Sequence, residues 1–121
     1  MASSVLIDTN IVILHLSDIL ILPAENEAVL LISVLTKFEL LRYPGMGRTE
    51  ETQIRTFLNF CELIPINERI ADQAAFLRRT HRIGTVDLLI AATALECHIP
   101  LITRNVKDFR HIPNLDVRTE I

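Results

Sequence analysis

Cysteine is scarce in this sequence of 121 residues: only Cys61 and Cys97 occur, with no C-x-x-C pair and no ligand-like spacing around either. That pattern argues against a zinc site and for two reduced core thiols. A basic excess is also lacking. Lys and Arg number 12 against 15 Asp and Glu, a formal net charge of -3, so nonspecific nucleic-acid binding through bulk charge is not expected and only a local basic patch is left open. No positively charged segment followed by a long apolar run opens the chain. The most apolar early stretch is cut by His15 and Asp18 and ended by Pro23, which predicts a soluble, cytoplasmic protein with no membrane segment. Absent too are a Gly-x-Ser-x-Gly elbow, a Walker loop and a His-Glu-x-x-His pair, so the common serine-hydrolase, nucleotide-phosphate and zinc-peptidase sites lack their parts.

What is present is hydrophobic material in short, well-punctuated runs. Half of the residues are apolar, and the length suits a single domain over 1–121 with one buried core. Val5-Leu6-Ile7 is a β-branched run that stops on Asp8-Thr9-Asn10, as a buried strand does when it delivers an acid to a sheet edge. Residues 10–20 follow as a helix, and residues 30–34 as a second strand. Thr36-Lys37-Phe38-Glu39 has the form of a capping box that opens a helix, which Pro44-Gly45-Met46-Gly47 closes. Ile54, Phe57, Leu58 and Cys61 repeat at helical spacing within 50–61, and residues 63–66 form a third strand that Pro65 places at an edge. A helix over 67–80 buries Ile70, Ala74 and Leu77, and Gly84 ends its following loop. Residues 85–95, with Thr85 as cap, are apolar nearly all round and so predict a buried helix; strands at 101–103 and 115–117 complete the chain. Strands alternating with helices along the whole length predict βαβ units and a parallel sheet.

Acidic or amide side chains fall repeatedly at strand ends or first helical turns: Asp8, Glu39, Asp87 and the Asn105-x-x-Asp108 pair. Each has a structural explanation by itself, as a cap or as an answer to a helix dipole. Together they read differently. In a parallel sheet all these positions lie at the carboxyl edge, where ligands bind, and the motifs around Asp8 and Asp87 supply no Lys or Arg to neutralise them. Hard carboxylate oxygens crowded in this way suit Mg²⁺ or Mn²⁺, an ion that can activate water and orient a phosphodiester.

Four stretches resemble the PIN-domain ribonucleases, and among them the small VapC-type toxins of prokaryotic toxin–antitoxin pairs. They are Val5-Leu6-Ile7-Asp8-Thr9-Asn10, the run Ile32 to Leu40, the run Val86 to Ala94, and the run Leu101 to Phe109; their order and spacing cover nearly the whole chain. The resemblance implies a three-layer α/β/α sandwich with a mainly parallel sheet of four to five strands. It also implies Mg²⁺ or Mn²⁺ bound by Asp8, Glu39 and Asp87, endonucleolytic cleavage of RNA, a homodimer, and inhibition by a small antitoxin protein. Asn105 stands where many members carry Asp, so Asp108 is the candidate to supply the missing charge, as a catalytic group and outer metal ligand with Asn105 beside it.

Thr9, Asn10 and Thr103 are placed to orient carboxylates or waters by hydrogen bonds. Lys37, Arg78, Arg79, Arg82, Arg104 and Lys107 are candidates for RNA phosphate contacts, against the plainer reading of a solvated helix end and local charge offset. His15 and His98 sit among apolar residues and read as core histidines. A housekeeping nuclease and a catalytically silent RNA- or protein-binding domain share these motifs. A phosphoacceptor signalling domain would need an Asp after the third strand, where Asn67 stands.

Overall fold

The computed structural model describes residues 3–22 and 28–121. The proposed stop at Pro23 lies outside them. The sheet has five strands, all parallel: β1 (Ser3–Ile7), β2 (Ala28–Ser33), β3 (Glu62–Ile64), β4 (Leu101–Ile102) and β5 (Val117–Arg118), in the spatial order β3-β2-β1-β4-β5. The chain thus builds outward from β1 on one side, then crosses over to build outward on the other. The reversal point lies between β1 and β4, where a doubly wound sheet opens its binding crevice.

Alternation along the strands divides the core in two. Leu6 and Leu31 face one layer, with Ile70, Ala74 and Leu77 of α4 (Glu68–Arg78) and the buried side of α5 (Thr85–Cys97). Val5, Ile7, Leu30 and Ile32 face the other, against α1 (Thr9–Leu16), α2 (Val34–Leu41) and α3 (Arg48–Asn59), completing the three layers. The helical face Ile54, Phe57, Leu58 and Cys61 packs into this second cluster as its spacing predicts. Pro65 follows β3 directly, at the sheet edge, where its missing N–H interrupts no ladder.

Several boundaries differ from the sequence expectation, each for a local reason. α1 ends at Leu16 and a turn follows, with Asp18 in the left-handed region at φ 60. β2 stops at Ser33 because the Ser33 hydroxyl accepts the Leu35 N–H at 3.1 Å and caps α2 itself. Thr36 is therefore not the cap, and no capping box joins it to Glu39. Thr85 is likewise the first residue of α5, following Gly84, which has no side chain to cap with. A four-residue helix, α6 (Val106–Phe109), plugs Phe109 into the core after β4.

His98 is exposed rather than in the core and ends α5 in the left-handed conformation, φ 55. His15 is half-buried against Phe57, with ring centroids 5.2 Å apart, and its Nδ1 accepts the Leu22 N–H. Both cysteines are free and half-buried; burial pushes the Cys61 thiol up to about 11, so it stays protonated at neutral pH. No helix among the described residues is long and apolar enough to cross a membrane.

Candidate metal and nuclease site

Asp8 leaves the carboxyl end of the central strand and begins α1. Its Oδ1 accepts the Ile11 N–H at 2.9 Å, a helix-capping bond, and its Oδ2 accepts the Thr103 hydroxyl at 2.5 Å. Capping therefore uses only one of its oxygens. The side chain is buried, and this desolvation holds its pKa above the usual carboxylate range; the Thr103 and Ile11 bonds pull against that rise, and the Glu39 charge adds to it.

Glu39 arrives from α2, the helix that starts where β2 ends. Its Oε1 accepts the Thr9 hydroxyl at 2.6 Å, so the residue after Asp8 holds the second acid. Asp87 comes from the opposite layer, in the first turn of α5. A helix N-terminus favours a carboxylate. Its pKa is raised nonetheless, first by burial and then by the charges of Asp8, Glu39 and Asp108, so all four acids share one electrostatic neighbourhood.

Among the described residues no basic side chain forms a salt bridge with this group. The ion pairs among the described residues, Arg55 with Glu51 and Arg118 with Asp116, are both at the surface and elsewhere. Nor are three His, Cys, Asp or Glu side chains among the described residues closed up as a ready-made metal cage. An oxygen-only, partly open set still suits Mg²⁺ or Mn²⁺, because Mg²⁺ keeps several of its waters and is held through one or two carboxylates. The donor chemistry fits a hard divalent ion.

Thr103, not Asn105, occupies the position directly after β4 that matches Asp8 after β1. It is fully buried, donates to Asp8, and accepts the Asn105 N–H at 3.0 Å. Asn105 lies two residues further out and is exposed. Its side chain caps no backbone N–H; instead its Nδ2 donates to Asp108 Oδ2 at 2.8 Å, so the two form a pair at the rim. Asn10 is exposed, with its side chain in none of the hydrogen bonds of the site.

The cations divide into two kinds. Arg78 is engaged by its own loop: Nη1 donates to the carbonyls of His81 and Ile83 at 3.1 and 2.8 Å, and Nη2 donates to Thr85 Oγ1 at 3.3 Å. It staples the turn that leads into Asp87. His81 Nε2 lies 3.2 Å from the carbonyl of His111, which ties the same loop to the segment after Asp108. Arg79, Arg82, Arg104 and Lys107 are exposed and Lys37 is half-buried, and no salt bridge engages any of them among the described residues. Sequence reasoning missed the stapling role of Arg78 and the true cap Ser33. Only the crowding of hydroxyl residues at 33 and 36, two candidate caps for one helix, hinted at the second.

The model of one protein family, described as "PIN domain", matches residues 5–115. The chain belongs to the PIN-domain family. This PIN domain is 35% identical over 121 residues to "Ribonuclease VapC19" of Mycobacterium tuberculosis, a match covering 91% of this chain and 95% of that one. With "Ribonuclease VapC" of Rickettsia bellii it shares 57% identity over 37 residues, 31% of this chain and 28% of the relative. Its fold superposes on a chain from a toxin-antitoxin complex of Klebsiella pneumoniae with a TM-score of 0.75 and 31% identity, covering 97% and 99% of the two chains. A PIN domain is what the acids after β1, on α2 and at the start of α5 belong to.

Proposed function

We propose that this PIN domain is a divalent-metal-dependent endoribonuclease and the toxin of a toxin–antitoxin pair; the reading is supported by relatives named ribonuclease VapC and by its likeness to a chain of a toxin-antitoxin complex. The observation that carries the reading is the gathering of acids from β1, α2 and α5 at the carboxyl edge: burial first, and then the charges of Asp8, Glu39 and Asp108, raise the Asp87 carboxyl, and among the described residues no cation is paired with these acids. Such an arrangement is unfavourable by itself and is explained if the acids serve a Mg²⁺ or Mn²⁺ ion. Asp8, Glu39 and Asp87 would hold the ion, with Asp108 and Asn105 reaching it from the rim. When bound, an ion of this kind lowers the pKa of water and neutralises charge on the phosphodiester.

The chain's own residues divide the remaining work. Thr103 and Thr9 hold Asp8 and Glu39 in place by donating to one oxygen of each, which leaves the other lone pairs free for ion or water. Arg79, Arg82, Arg104, Lys107 and Lys37 would hold the RNA phosphates that the acids repel, and Arg78 acts on them only by shaping the loop. A partner protein has a place to sit beside the site: Val34 and Phe38 on α2, with Tyr43 beyond it, are exposed apolar side chains flanking Glu39. A small antitoxin covering them would also cover the acidic edge, and self-association of the domain follows from the same family reading.

Purified protein incubated with a mixed RNA pool tests the activity. Cleavage is expected with Mg²⁺ or Mn²⁺, none with excess chelator, and loss of cleavage on adding the co-expressed partner. An intact fold that binds RNA without cutting it under any metal would replace this reading with that of a silent binding domain.

A further inference from the structure

Thr36 is fully buried although its hydroxyl caps nothing. Its Oγ1 lies 3.0 Å from Thr9 Oγ1, across the gap between α1 and α2, and Thr9 Oγ1 lies 2.6 Å from Glu39 Oε1. The direction of these bonds is set by what each atom can do. A hydroxyl has one proton, and a carboxylate can only accept, so the Thr9 proton goes to Glu39. The Thr9 oxygen must then accept, and the Thr36 proton is the one aimed at it.

We infer that Thr36 is a positioning residue for Glu39, the first donor of a relay in which Thr36 fixes the rotor of Thr9 and Thr9 fixes the carboxylate. Without the Thr36 hydroxyl the Thr9 oxygen loses its donor, and the half-buried Thr9 side chain can rotate toward water at the loss of the Glu39 bond alone. With it, the same rotation breaks two hydrogen bonds. The relay spans both helices that start at the carboxyl edge beside Asp8, so it sets the position of Glu39 relative to the strand that delivers Asp8. Thr36 sits one helical turn before Glu39 on α2, at a spacing that puts both on the same face. Its β-branched shape fills the buried site, and its hydroxyl acts on the reaction only through Thr9. This inference rests on the proposed nuclease reading for its effect on RNA cleavage; its effect on the side chains does not.

The test compares Thr36→Val, which keeps the shape and removes the hydroxyl, with Thr36→Ser, which keeps the hydroxyl. NMR three-bond couplings report the side-chain rotamers of Thr9 and Glu39 in metal-free protein, and Mn²⁺-supported cleavage of RNA is measured beside them. Thr36→Val should average the rotamers of Thr9 and Glu39 and lower kcat about tenfold at saturating Mn²⁺, with KM for RNA unchanged, as loss of one positioning hydrogen bond does. Thr36→Ser should restore single rotamers and most of the rate. Fixed rotamers in Thr36→Val, or equal losses in the Val and Ser variants, would overturn the relay. If the wild-type protein neither binds Mn²⁺ nor cuts RNA while Thr36→Val still loses its rotamers, the nuclease reading falls and the relay stands.

Discussion

Thr103 donates its hydroxyl proton to Asp8 at 2.5 Å from the neighbouring strand, across the point where the sheet reverses its order of growth. The two residues are 95 apart in sequence, and each is the first after its strand. Removing this hydroxyl while keeping the shape leaves one buried oxygen of Asp8 without its donor and releases the Asn105 N–H, which is only part-buried. Thr103→Val should therefore cost about 1–3 kcal/mol of stability in urea unfolding, and Thr103→Ser much less.

Asp8→Asn and Asp87→Asn should each abolish metal-dependent cleavage, by more than about 100-fold, while the circular dichroism of the fold is unchanged. The amide retains the size and much of the hydrogen bonding of the acid, and Asn caps a helix as well as Asp does. Undiminished cleavage by both variants would remove these acids from the site.

Metal-free stability should fall as pH rises. Asp8 and Asp87 have folded-state pKa values above the ordinary 3.8, so between that value and their raised ones the native state binds more protons than the unfolded chain. Stability contributed by their protonation is present at the acid end of that window and lost toward neutrality. Thermal melts should show Mn²⁺ stabilising the protein more at pH 7.5 than at pH 5. Asp87→Asn should melt higher than wild type at pH 7.5 without metal, and the gain should shrink at lower pH.

At the rim a graded response is expected. Asp108→Ala should weaken Mn²⁺ binding and cleavage less than Asp8→Ala or Asp87→Ala, because Asp108 is engaged with Asn105 and its charge acts on Asp87 less than those of Asp8 and Glu39. Asn105→Asp replaces a donor to Asp108 with a second negative charge. It should lower metal-free stability and tighten Mn²⁺ binding, both readable by calorimetry.

The two kinds of arginine should separate in RNA-binding assays. Arg82→Ala should weaken binding and reduce the salt slope by about 0.7 for one lost phosphate contact on a single strand. Arg78→Ala should leave the slope nearly unchanged but speed proteolysis within residues 79–84, the loop its guanidinium braces.

Local pattern alone determined a large part of this protein. β-branched runs ending on polar residues marked the strands, period-3.6 faces such as Ile70, Ala74 and Leu77 marked the buried sides of helices, and Asp8 after the first strand pointed to the carboxyl edge. These features depend on backbone geometry and burial within a few residues, so the chain states them directly. The tertiary structure decided the choice among equivalent hydrogen-bond partners. Ser33 and Thr36 offered the same capping chemistry to one helix, and the nearer took the cap while the other met Thr9, 27 residues away in sequence. The strand expected over 101–103 ends at Ile102, so Thr103 takes the place after β4 that Asp8 takes after β1, and Asn105 lies two residues further on. A hydroxyl or amide is satisfied by any donor or acceptor in reach, and what lies in reach of Thr9, Thr36 and Thr103 is set by the packing of helices and strands that are distant in sequence.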